Sequence, residues 1–173
     1  MATGSSTTDH LSAEKAGKVA WTVKGAGLGV LVLVVLAAAV GLLGPTQGQL
    51  RDSSGDYTLQ VDYPRITRAG QPAPLRIRVH QEGGFDGPIT LALSREMFDD
   101  MDFQNWYPNP SAETARARTL IYEFDPPDGE DFEVRLDART APGQFGGVVD
   151  SFVVLLVADQ PAAEVHFKIW RMP

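Results

Sequence analysis

Asp99, Asp100 and Asp102 put three carboxylates within four residues, and oxygen donors of this kind suit calcium, which takes roughly six to eight of them. The residues around them, Met101, Phe103, Gln104 and Asn105, supply neither the glycine turn nor the closing glutamate of a calcium-binding loop. A second acidic run, Asp125, Asp128, Glu130 and Asp131, is interleaved with Pro126, Pro127 and Gly129 and reads as solvated turn. His10, His80 and His166 stand far apart with no metal-ligand spacing. The chain has no cysteine, which excludes thiolate metal sites, haem attachment, disulfides and cysteine nucleophiles. Ser94, Ser111 and Ser151 have no activating neighbour in sequence, and no G-x-S-x-G, S-x-x-K or H-E-x-x-H pattern occurs. The residues therefore predict no catalytic set, no metal ligands and no cofactor.

Two groupings remain. Arg76, Arg78 and His80 alternate along one segment, and Glu133, Arg135 and Asp137 along another. On adjacent strands they would form cross-strand ion pairs; otherwise they could receive an acidic ligand. The other grouping is the segment 95–118, where Met97, Phe98, Met101, Phe103, Trp106 and Tyr107 crowd into a stretch longer than ordinary turns. Side chains of this kind anchor protein interfaces. They could equally fold back and plug the end of a domain. Trp170, outward in its alternation, is a further candidate contact.

The elements that would position these residues follow from a period of two. Tyr57, Leu59, Val61 and Tyr63 alternate with Thr58, Gln60 and Asp62. The same alternation recurs at Leu75, Ile77 and Val79, at Ile89, Leu91 and Leu93, and at Leu120, Tyr122 and Phe124. It returns at Phe132, Val134 and Leu136, and at Val165, Phe167 and Ile169. Residues 148–157 are apolar nearly throughout and predict a central strand covered on both sides. Together these predict an all-β domain over 56–173, an antiparallel β-sandwich of about seven strands, with a small barrel as the alternative. The strand pattern, the Ala69-Gly70-Gln71-Pro72 turn and the run Thr140-Ala141-Pro142-Gly143-Gln144-Phe145-Gly146 resemble the immunoglobulin-like or fibronectin type III-like ectodomains of bacterial envelope proteins. The resemblance is one of architecture. The Cys…Trp…Cys framework of antibody-type domains is missing.

Ahead of this domain, residues 25–43 carry no charge, amide or proline. As a helix of about 1.5 Å rise per residue they span roughly 28 Å, near the thickness of a bilayer core. They predict a transmembrane helix over 21–43, entered through Trp21, with a partly disordered tail over 1–20 and a linker over 44–55. A cleaved signal peptide, with Ala37, Ala38 and Ala39 at the cleavage site, is the alternative. Gly25, Gly29, Ala37 and Gly41 offer small-residue spacings for a partner helix. Lys15, Lys18 and Lys24 against Asp9 and Glu14 make the tail slightly basic, while the chain as a whole has net charge −7. That asymmetry predicts a cytoplasmic N-terminus and an extracytoplasmic domain at the plasma membrane, and it disfavours nucleic acid as a partner. The expected function is a membrane-anchored module that contacts another membrane or envelope protein. A small-ligand or calcium sensor and a structural spacer are the alternatives.

Overall fold

The computed structural model describes residues 9–39, 46–99, 101–141 and 146–172. The chain forms two compact units, residues 1–44 and 45–173. Among its described residues the first holds one helix, α1 (Asp9–Ala39). Its sequence reaches from the charged segment containing Glu14, Lys15 and Lys18 into the apolar run, so residues 25–39 are the apolar part inside it. Fifteen residues span only about 22 Å, short of the roughly 20 residues a bilayer core requires. Among the described residues no helix is long and apolar enough to cross a membrane. The expected transmembrane helix over 21–43 is corrected accordingly, and with it the single-pass plasma-membrane placement and the sidedness derived from it. Hydropathy summed over residues 25–43 ran past the end of the described helix.

The second unit is almost entirely β. Its elements are β1 (Thr46–Ser54), β2 (Tyr57–Arg68), β3 (Leu75–Gln81), β4 (Ile89–Ser94), the short helix α2 (Arg95–Asp99), β5 (Met101–Tyr107) and β6 (Ala112–Ala115). They continue with β7 (Thr119–Phe124), β8 (Asp131–Thr140), β9 (Gly147–Val157) and β10 (Gln160–Met172). The strands make one ten-stranded sheet in the order β5-β8-β3-β2-β10-β9-β4-β7-β6, with β1 paired to β2 off this path. The predicted seven-stranded immunoglobulin-like sandwich is thus replaced by one continuous, curled sheet.

The reason lies in β10. Along most of its length it pairs antiparallel with β9, while Trp170, Arg171 and Met172 also pair parallel with Ile66, Thr67 and Arg68 of β2. That junction joins what would otherwise be two sheets. The sheet then curls until its far ends meet: Phe124 of β7 lies 5.4 Å from Phe132 of β8, and Trp106 of β5 lies 4.6 Å from Tyr122 of β7, ring centroid to centroid. The alternating apolar residues of β2, β3, β4, β7, β8, β9 and β10 point into this curl. Leu59, Val61, Ile77, Leu91, Phe124, Val134, Val153 and Ile169 are buried there as one core.

The predicted linker over 44–55 holds β1, paired with β2 from Thr46↔Ile66 to Ser54↔Tyr57. A glycine is required at position 48, because a Cβ there would sit 2.6 Å from the Tyr63 ring. Between β9 and β10 the chain reverses on Ala158 and Asp159, both at positive φ (48° and 61°), the twist-matched geometry of a two-residue hairpin.

Candidate functional site

The segment 95–118 is built as α2, β5 and β6. Met97 and Met101 are buried, and Phe98, Phe103 and Trp106 are half-buried against the core. The Phe98 ring stacks on Phe103 at 4.1 Å, and Trp106 packs on both Tyr122 and Phe124. Of the six candidates in this segment only Tyr107 is exposed, at 79%. Burial is also the main reason the Tyr122 phenol is pushed up to about 12; the Glu113 carboxylate adds to it, and a hydrogen bond from the Trp106 indole works against it. Asp99 and Asp102 flank this cluster at the surface, and Asp100 lies outside the described residues. Among the described residues no three His, Asp or Glu side chains are grouped so as to hold a metal ion.

The charged residues come together on the outer face of β2, β3 and β8. Arg78 bridges Asp62 (3.0 Å) and Glu133 (2.8 Å), and Glu133 is also met by Arg135 (2.8 Å) and Arg76 (3.6 Å). Hydrogen bonding to Arg78, with help from Arg135 and Arg76, holds the Glu133 carboxyl below the usual carboxylate range; the same bond raises Arg78. His80 pairs with Asp131 at 2.8 Å. Asp137 lies on β8 opposite Asn105 of β5. These charges largely compensate one another, as cross-strand pairs on a solvated face do. In α1, a Cβ at Gly25 or Gly29 would meet nothing within 4 Å. The Ala37 side chain and Gly41 lie outside the described residues.

The outer face of β9 and β10 is different in kind. Outward residues of β9 meet outward residues of β10 in register: Val148 opposite Trp170, Asp150 opposite Lys168, Phe152 opposite His166, Val154 opposite Glu164. Trp170 and Val148 are more than half exposed. Lys168 and Asp150 form an ion pair at 3.1 Å, and the Phe152 and His166 rings lie 5.9 Å apart. Toward β4 and β7 the same face continues as a second apolar cluster, Ala92, Ile121 and Val154, flanked by half-buried Phe152 and Leu156. Phe152 lines both a groove of about 380 Å3 over that cluster and a cleft of about 540 Å3 that reaches Ser94 and the buried Ser151 hydroxyl.

No family model and no curated protein matches the chain. Solved structures align with it weakly, two of them as follows. An enzyme titled as AvmM, catalysing macrocyclization in alchivemycin A biosynthesis, aligns at 11% identity and TM-score 0.39 over 75% of this chain and 97% of its own. The Pseudomonas fluorescens alkylpurine DNA glycosylase AlkC, bound to DNA containing an abasic site analogue, aligns at 10% identity and TM-score 0.34, over 78% of this chain and 33% of its own. Likeness at this level carries no argument about fold or activity.

Of the residues on the outer face, sequence reasoning singled out only Trp170. The signal for the rest was the segment 148–157, apolar nearly throughout. Its even-numbered residues point away from the core: Val148 and Asp150 are exposed, while Val154 is buried in the second cluster with Phe152 and Leu156 packed against it.

Proposed function

We propose that the β unit is a protein-recognition module that meets its partner through the outer face of β9 and β10. One observation carries this reading: β9 already fills the core with Val149, Val153 and Leu155, yet on the opposite face Val148 and its neighbour Trp170 are exposed, and Phe152 and Leu156 are half-buried around Val154. Exposed apolar side chains among charged ones are characteristic of protein contact sites. The charged or ionisable neighbours here are Asp150, Lys168, His166 and Glu164.

A photo-crosslinking amino acid installed at Leu156, and separately at Gln60 on the charged face, tests the reading in cells that make the full chain. Protein adducts should form at position 156 and not at position 60. Equal yields at both, or none at 156, would remove the basis for the proposal.

A further inference from the structure

We propose that the cleft of about 540 Å3 beside β9 is a binding site for a small organic molecule carrying one carboxylate. The proposal goes beyond protein recognition and does not depend on it. The cleft exists because β4 leaves β9 early. β4 pairs with β9 only from Thr90↔Leu156 to Leu93↔Val153, whereas β9 runs back to Gly147 beside β10. At Arg95 the chain turns into α2, so ahead of Val153 the main chain of β9 has no strand on that side among the described residues.

The gap leaves three donors without acceptors. Ser94, the last residue of β4, accepts the Phe152 N–H at 3.3 Å through its Oγ, and its own hydroxyl hydrogen meets no acceptor among the described residues. That bond also shows which way β9 is turned. Main-chain groups alternate in direction along an antiparallel strand, so the N–H of Asp150, two residues earlier, is directed to the same side. Among the described residues no strand or turn receives it. The third donor is Ser151, 3% exposed, whose buried Oγ has no partner among the described residues. A buried hydroxyl left unpaired is costly, and a ligand oxygen would remove that cost. Ser151 and Phe167 come from the inner rows of β9 and β10, while Asp150, Phe152, His166 and Lys168 come from the outer rows. All six line the cleft, so it opens across the strand edge rather than on one sheet face.

Three donors call for oxygen. A carboxylate brings two oxygens with about four acceptor sites on a single charge. A single charge suits the rim, where Lys168 is matched to Asp150 at 3.1 Å and Arg118 to Glu96 at 3.3 Å. Exposed pairs of this kind contribute little, so one cation can turn to a ligand at small cost. A doubly charged phosphate would instead draw on both cations and leave Asp150 and Glu96 facing it. The half-buried Phe152 ring supplies an apolar wall for the body of the ligand, and the volume is that of a small-molecule site.

Titrating the isotope-labelled full chain with sodium phenylacetate, followed by amide NMR, tests the proposal. Saturable shifts should appear at Ser94, Asp150 and Phe152 in the millimolar range. Phenylacetamide keeps the ring without the charge and should bind on the order of tenfold more weakly. Phenethylamine, of opposite charge, should leave these amides in place. Ser151→Ala should weaken phenylacetate on the order of tenfold while leaving the urea midpoint unchanged or raised, because the hydroxyl it removes is unpaired in the free protein. Lys168→Gln, at an exposed position, should weaken phenylacetate without moving the urea midpoint. The absence of saturable shifts, equal binding of phenylacetamide, or a Ser151→Ala chain that loses stability yet binds phenylacetate like wild type overturns the proposal.

Discussion

Trp106→Ala tests whether segment 95–118 holds the fold together or is held in reserve for contact. Trp106 is half-buried, 4.6 Å from the Tyr122 ring, 5.7 Å from Phe124 and 6.5 Å from Phe98. A buried aromatic removes about 150–250 Å2 from water, so half-burial corresponds to roughly 100 Å2 and, at about 25 cal/mol per Å2, to about 2.5 kcal/mol. Losing ring contacts on β7 adds about 0.5–1 kcal/mol. The lost indole hydrogen bond to Tyr122, about 1 kcal/mol, comes on top, giving a total near 4 kcal/mol. Urea titration of the full chain, followed by near-ultraviolet circular dichroism, measures this against wild type. Tyr107→Ala, at the neighbouring exposed residue, should stay within about 0.5 kcal/mol. A loss below about 1 kcal/mol for Trp106→Ala would refute the reasoning, because the ends of the curled sheet would then not depend on this contact.

Gly48→Ala should destabilise by about 1–3 kcal/mol, because the new Cβ meets a Tyr63 ring that is already fixed against Phe167 at 4.4 Å. Chain entropy alone would make the same change stabilising, so the sign of the shift in the urea midpoint decides. Tyr122 links stability to alkaline pH. Its folded value of about 12 lies above the ordinary 10.0, so the folded state favours the neutral phenol and its contribution is complete below pH 10. That contribution is lost as pH rises from 10 through 12, to the extent of about 2–3 kcal/mol. Tyr122→Phe should flatten the alkaline limb of the stability profile measured by urea titration at a series of pH values; an unchanged limb would mean that another group carries it.

The strands that alternate were legible because each turns one face into the core: the six periodic segments lie within β2, β3, β4, β7, β8 and β10, and the apolar segment 148–157 forms β9. The remaining three strands carry no regular apolar alternation. β1 has Leu50 alone among polar residues, and its place is set by backbone pairing to β2. β6 is exposed along its whole length. β5 breaks its alternation at a register shift between Phe103 and Asn105. How the strands join was not legible either, since the parallel contact of Trp170, Arg171 and Met172 with β2 is made by main-chain groups common to every residue type. For α1, a hydropathy sum registers composition but not where the helix begins and ends. At the candidate site, the residue types of segment 95–118 were read correctly as large and apolar, yet whether a tryptophan anchors a partner or a core depends on what stands opposite it.

The same distinction bears on β9. A strand with cover on both faces and a strand with one face left open carry the same apolar run, so composition alone cannot separate them. Pairing separates them here. Its inward residues are matched by Phe167 and Ile169 of β10 and Leu91 and Leu93 of β4, which close the core without help from the outer row. Fold stability therefore makes no demand on Val148 or Trp170, whose exposure costs nothing structural to remove. Substituting polar residues at these two positions should leave the core intact while weakening association, a separation of effects that Trp106, tied to both β7 and the core, does not permit.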